Sequence, residues 1–243
     1  MKIKTTKESL LRGIQIVQNG VSTKNTLPIL SHLLIEAKKD SFRLTATDLE
    51  IGMSVKVEGE VLEEGALTVP ARKFSEIVKE LPSMVPILIT LKKGLAINIE
   101  AGKSYFRLMG LQKEDFPQLP DLPTGRGIDT VKIPQKTLKN MIQLTSFAMS
   151  HDETRYVLNG ILFSFKEKTL KLVATDGRRL AIIEKDIAEM GSLKKDVILP
   201  MKTIQELNRN LGEEGDVFFH FKENQLQAVL GPRRERLAKR QGY

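Results

Sequence analysis

Leu30-Ser31-His32-Leu33-Leu34, running on to Thr45-Ala46-Thr47-Asp48, is answered 128 residues later by Leu158-Asn159-Gly160-Ile161-Leu162, running on to Val173-Ala174-Thr175-Asp176. The offset holds without a gap back to the amino terminus, pairing Ile3 with Val131, Leu10 with Leu138, Ile14 with Ile142, Gln15 with Gln143 and Ser22 with Ser150. After an insertion of two residues, Pro70, Glu76, Ile77 and Leu81 meet Pro200, Glu206, Leu207 and Leu211. A repeat of this length is a whole domain, not a solenoid unit. The 243 residues therefore read as a duplicated module, each copy large enough to bury its own core.

Each copy opens with a short strand and a helix. Leu10, Ile14 and Val17 recur at the spacing of one helical face, and Leu138, Ile142 and Thr145 take the same places in the second copy. Apolar alternation then predicts strands: Phe42, Leu44 and Ala46, followed by Ile51, Met53, Val55 and Val57, with Leu170, Leu172 and Ala174 in the second copy. This pattern implies antiparallel pairing with one wet face. A second helix is bracketed by Pro70 and Pro82, and its partner runs from about Met201 to Leu211. Further strands are expected at 87–91, 95–99, 217–221 and 225–230. The order predicts an α+β fold of tandem duplicated domains, two helices against antiparallel sheet in each. The domains are expected at 1–120 and 121–243, joined by Phe116-Pro117-Gln118-Leu119-Pro120-Asp121-Leu122-Pro123, whose prolines favour a stiff, extended connector.

The net charge of +8 is unevenly spread. Residues 1–128 carry 18 Lys and Arg against 15 Asp and Glu, residues 129–230 carry 15 against 14, and residues 231–243 carry 5 against 1. The modules are nearly balanced, so contact with a polyanion must come from charges placed on one face. Candidates are Lys7, Arg12, Arg72, Lys73, Lys79, Lys136, Lys139, Lys202 and Arg209, all on the expected helices. An ordinary solvated helix face is the competing reading. The chain has no cysteine, which excludes disulfides and thiolate chemistry and fits a cytoplasmic setting. No apolar run approaches the roughly 20 residues of a membrane span.

Enzyme signatures are scarce. There is no phosphate-binding loop or dinucleotide fingerprint, and His32, His151 and His220 are scattered, so neither a metal site nor a cofactor is expected. Asp48 and Asp176 would be the best catalytic candidates. Both follow a strand in Thr-Asp at the same place in each copy, which favours a carboxylate fixing a turn. No catalytic residue is therefore assigned.

Five motifs in this order carry a resemblance: Asn25-Thr26-Leu27-Pro28-Ile29-Leu30, Leu44-Thr45-Ala46-Thr47-Asp48-Leu49-Glu50, Val69-Pro70-Ala71-Arg72-Lys73-Phe74, Asp152-Glu153-Thr154-Arg155-Tyr156-Val157-Leu158-Asn159-Gly160 and Val173-Ala174-Thr175-Asp176-Gly177-Arg178-Arg179-Leu180. Together they resemble the bacterial DNA polymerase III beta subunit family, the sliding clamps. The resemblance implies clamp-type domains in a non-enzymatic ring around duplex DNA, a processivity factor that tethers the polymerase. It places DNA contacts at Lys24, Arg72, Arg155 and Tyr156. It also implies a pocket at Leu158, Thr175, Gly177, Arg178, Arg179 and Leu180 for short peptides of the polymerase III alpha subunit and the clamp loader. Gly177, read alone, is a turn residue after Asp176; within the family pattern it also lets a peptide backbone approach closely.

The resemblance covers residues 1 to about 230. The family has three such modules where this chain has two, and the tail from Gly231 lacks the alternation of Tyr105-Phe106-Arg107-Leu108 in the first copy. In the family the third module supplies the ring partner and the far wall of the pocket. A monomer or weak self-associate with half a pocket is therefore expected, against the alternatives of a trimeric ring of two-module subunits or a non-ring nucleic-acid or peptide-binding protein.

Overall fold

The computed structural model describes residues 1–22, 27–39, 41–120, 129–166, 168–187, 193–222, 225–231 and the backbone of 235–240. The chain forms two compact units: residues 1–120 with residues 235–238 of the tail, and the described residues 129–231 with 239–240.

In the first unit, β1 (Lys2–Thr5) leads into α1 (Lys7–Val17), which begins where Thr6 turns its hydroxyl to accept the Ser9 N–H. There follow β2 (His32–Lys38), β3 (Ser41–Thr47), β4 (Ile51–Val57), β5 (Gly59–Glu63), β6 (Gly65–Pro70), α2 (Ala71–Glu80), β7 (Ile87–Lys92), β8 (Ala96–Ala101) and β9 (Ser104–Met109). All pairings described are antiparallel: one sheet runs β5-β1-β7-β8-β9 and another ladder runs β4-β3-β2-β6. Leu10, Ile14 and Val17 form the buried face of α1, and Phe74 and Val78 that of α2.

The second unit repeats the path through β10 (Asp129–Pro134), α3 (Gln135–Gln143), β11 (Gly160–Lys166), β12 (Thr169–Thr175), β13 (Leu180–Asp186), β14 (Lys195–Pro200), α4 (Met201–Asn210), β15 (Asp216–Lys222) and β16 (Gln225–Leu230). The registers repeat as well. Leu34 faces Thr45 and Leu162 faces Val173; Thr47 faces Gly52 and Thr175 faces Leu180; His32 faces Pro70 and Gly160 faces Pro200. Identical register at these offsets is what a duplicated domain requires, since a one-residue slip would turn every side chain to the wrong face.

The helix pairs are clasped by different chemistry at one position. In the first unit Lys7 donates through Nζ to the carbonyls of Lys79 and Leu81, both at 2.6 Å, at the carboxyl end of α2. A cation there meets the negative end of the helix dipole and two carbonyls left without helical partners. In the second unit the equivalent residue is Gln135, which is buried. Its Oε1 accepts from Gly212 N at 2.8 Å, and its Nε2 donates to the carbonyls of Asp216 and Gly231.

The core of the second unit is built around a cluster of phenylalanine rings. Phe163 and Phe165 on β11 meet Phe219 and Phe221 on β15, with ring centroids 5.0–6.2 Å apart and tilted or edge-on. This cluster ties the β10-β15-β16 ladder to the β13-β12-β11-β14 sheet.

One expectation needs correction. In β4 the alternation does not produce a wet face: Gly52 and Ser54 are buried along with Ile51, Met53 and Val55. The outer face is covered, with Leu119 of the connector lying over Gly52 and the Ser54 hydroxyl 3.1 Å from that of Thr45. The tail, despite its lack of apolar alternation, forms a strand, β17 (Glu235–Arg240), because strand pairing uses main-chain groups that every such residue carries.

Replacing Phe219, which is fully buried, by alanine is expected to cost about 3–5 kcal/mol through the cavity left in the ring cluster. The same truncation at Met84, which is 96% exposed, should stay within about 0.5 kcal/mol. Urea unfolding of the two variants checks the contrast.

Candidate functional site

The Thr-Asp pairs build the same turn twice. After β3, the Thr47 hydroxyl donates to the Ile51 carbonyl at 2.8 Å and accepts the Leu49 N–H at 3.1 Å, while Asp48 Oδ1 accepts the N–H groups of Glu50 (3.0 Å) and Ile51 (2.8 Å). After β12, the Thr175 hydroxyl donates to the Arg179 carbonyl at 2.8 Å and accepts the Gly177 N–H at 3.1 Å, while Asp176 Oδ1 accepts from Arg178 (2.9 Å) and Arg179 (3.1 Å). Both aspartates hold turns, as their repetition implied. The third residue of each turn is left-handed, Leu49 at φ +79° and Gly177 at φ +89°. Glycine takes that conformation freely and leucine against a steric cost.

In the second unit this turn frames an exposed apolar surface. Leu180, 60% exposed, starts β13, and Ile182 follows on the same face. Phe147, also exposed, lies with its ring centroid 5.7 Å from the Arg179 guanidinium carbon, and Arg179 Nε is 3.0 Å from Asp176 Oδ2. Arg179 is thus held between a carboxylate and an aromatic face. A Cβ built on Gly177 meets nothing within 4 Å, so the space above the turn is open. Arg178 is exposed beside it.

Leu158 is half-buried and comes from a loop locked by its own backbone. Ser150 N donates to Leu158 O at 3.0 Å, Leu158 N and Asn159 N both donate to Arg155 O, and Asn159 Nδ2 donates to Ser150 O at 2.7 Å. Sequence reasoning selects Leu158, Thr175, Gly177, Arg178, Arg179 and Leu180. It misses the exposed Phe147, Val157 and Ile182. Ile182 could have been found by period-two spacing from Leu180; Phe147, in the 3₁₀ turn Ser146–Ala148, carries no sequence signal.

The cations are scattered and mostly paired. Arg72 is exposed on α2, with Nε 2.9 Å from Glu76 Oε1. Arg12 pairs with Glu8, Lys136 and Lys139 both reach Glu213, and Arg209 pairs with the buried Glu206. Lys7, a candidate phosphate ligand by its sequence position, directs its ammonium at helix carbonyls instead. Arg155 lies 3.5 Å from Asp152, whose carboxyl is held below the usual range mainly by the Thr154 hydroxyl and amide and also by Arg155. Tyr156, beside it, is 65% exposed. Lys24 lies outside the described residues. Such exposed pairs are weak, about 0–1 kcal/mol, and can be exchanged for a phosphate. Among the described residues no cluster of His, Asp or Glu could hold a metal ion, and no helix is long and apolar enough to cross a membrane.

Two alike α+β units, the second bearing a rigid turn under an apolar surface, define the class of DNA-clamp folds. Two family models match in tandem: the N-terminal domain of the DNA polymerase III beta subunit over residues 1–120 and its central domain over residues 132–235. The chain belongs to the DNA polymerase III beta subunit family. The beta sliding clamp of Chlamydia muridarum is 38% identical over 214 residues, covering 88% of this chain and 57% of its own length. That of Proteus mirabilis is 39% identical over 235 residues, covering 95% and 62% respectively. The crystal structure of the Pseudomonas aeruginosa clamp bound to griselimycin superposes with a TM-score of 0.90 at 35% identity, covering 99% of this chain and 64% of that one. The chain thus spans somewhat more than half the length of these relatives.

The Asp176 carboxyl lies below the ordinary aspartate range, first because of the Arg178 and Arg179 amides and then because of the Arg179 side chain. A depressed folded-state value stabilises the protein above the unfolded-state value, and that contribution is lost as pH falls through the folded one. Asp176→Asn should therefore melt below the wild type at neutral pH, with the gap closing in acid. Melting temperatures of both proteins between pH 7 and pH 2 check this; a gap independent of pH would remove the carboxylate's role.

Proposed function

We propose that this chain supplies the N-terminal and central domains of a sliding clamp, acting without catalysis as a platform between duplex DNA and replication proteins. The observation that carries this reading is the exposed apolar surface of Leu180, Ile182 and Phe147, held beside a doubly anchored turn in the unit that matches the family's central domain. An extended peptide with apolar side chains would cover it, with Gly177 leaving room for the backbone and Arg178 at the rim. The clamp-griselimycin complex of the Pseudomonas relative supports a ligand-binding role for this family's fold. Peptide segments of the polymerase III alpha subunit and the clamp loader are the proposed partners.

On the DNA side the proposed contacts are Arg72, Arg155, Tyr156 and Lys24. The near-balance of charge in the modules suits sliding, because enclosure of a duplex allows each phosphate contact to stay weak. Such contacts read no sequence, and each releases condensed counterions from the duplex.

Two measurements test the proposal. Titration with a clamp-binding peptide should show saturable binding that Leu180→Asp abolishes, since the charge would have to be desolvated against the peptide. Unchanged affinity in that variant would exclude the surface. The Arg72→Ala/Arg155→Ala double variant should bind duplexes of different sequence with equal losses of affinity. Its log–log salt slope should be shallower by up to about 2, near one for each phosphate that is no longer neutralised. An unchanged slope would remove these residues from the DNA interface.

A further inference from the structure

The first unit carries the same strand-turn-strand frame as the second, but its surface is closed by the chain itself. Where the second copy places Leu180 the first has Gly52, facing Thr47 across the ladder as Leu180 faces Thr175. A Cβ built on Gly52 would lie 2.1 Å from Leu119 Cδ2 and 2.9 Å from Leu119 Cδ1. The connector's leucine is therefore seated directly on the glycine. The surrounding face is made of small side chains, Thr45, Thr47 and Ser54, and all three are buried. Upstream, Phe116 is buried as well, and its N–H donates to the Lys113 carbonyl at 3.0 Å. Gln118 and Leu119 make no hydrogen bond among the described residues. Leu119 itself is held by its apolar contact with Gly52, as the anchor of a bound peptide would be.

We propose that Gly52, with its neighbours on β3 and β4, is a leucine socket whose resident is Leu119, and that an extended, leucine-bearing peptide supplied in trans can take its place. The socket lies in the first unit and is independent of the peptide surface proposed for the second. In the intact chain the resident wins. A tethered segment acts at an effective concentration in roughly the millimolar range, which a free peptide of modest affinity does not overcome. Removing the leucyl side chain while keeping the connector empties the socket.

The test uses isotope-labelled full-length protein and a synthetic peptide of this chain's own sequence, Phe-Pro-Gln-Leu-Pro, with amide shifts read at Thr47–Met53 and Thr175–Leu180. In the Leu119→Gly chain the peptide should shift the first set saturably between roughly 0.1 and 1 mM, below the tethered segment's effective concentration, and leave the second set still. In the wild type the first set should not move. Adding Gly52→Ala to the Leu119→Gly chain fills the socket with a methyl group and should abolish the shifts. Leu119→Ala, a milder truncation, gives the same comparison if the glycine variant does not fold. The socket is overturned if the first set stays still in the truncated chains, if it moves equally in the wild type, or if shifts appear at Thr175–Leu180 alone. That last outcome would leave the second unit's surface intact as a peptide site and remove only the socket of the first.

Discussion

The hydrogen bonds that a threonine hydroxyl and an aspartate carboxylate make to the turn following them are the constraint on which the rest of the site depends. At Thr47-Asp48 and again at Thr175-Asp176, one hydroxyl bridges both arms of the turn and one carboxylate oxygen holds two amides. A turn fixed at four points sets the register of the strand that leaves it, and register decides which side chains face out. The two copies share this frame and differ in what it presents: Leu180 and Ile182 in the second, Gly52 and Ser54 in the first. One arrangement leaves an apolar surface uncovered. The other makes a hole that the chain's own Leu119 fills.

The copies also diverge where the helices meet, and the divergence conserves a role, not a residue type. Lys7 and Gln135 stand at the same position and both satisfy backbone groups at or beyond the carboxyl end of the second helix of their unit. One uses a charge on two carbonyls, the other an amide that accepts and donates. The ammonium of Lys7 is thereby committed to the fold, which shows why counting helix lysines overstates the exposed positive charge. Arg72 and Arg155 differ from Lys7 in pairing with carboxylates that are themselves exposed.

Much of the fold is legible in the sequence because it rests on repetition and on patterns of two and 3.6 residues. The repeat, at an offset of 128 that becomes 130 after the two-residue insertion, locates both helix pairs and both turns, and the prolines at 70, 82 and 200 mark helix ends. The role of Asp48 and Asp176 is readable for the same reason: a residue that recurs at one place in both modules belongs to their shared architecture. What escapes the sequence depends on contacts between segments distant along the chain. The covering of Gly52 by Leu119, the placing of Phe147 under Arg179 and the use of Lys7 on α2 follow from tertiary packing, which no local pattern encodes. The strand at Glu235–Arg240 escapes because main-chain pairing tolerates a side-chain pattern that predicts nothing.

Side-chain hydrogen bonds hold the turn beneath the exposed apolar surface of Leu180 and Ile182. Amide hydrogen exchange probes this without intermediary, comparing Glu50 and Ile51 with Arg178 and Arg179 in the wild type and in the Asp176→Ala variant. The expected result is protection at all four amides in the wild type and loss of protection at Arg178 and Arg179 alone in the variant. Retained protection at those two amides without the carboxylate would mean that packing holds the turn instead.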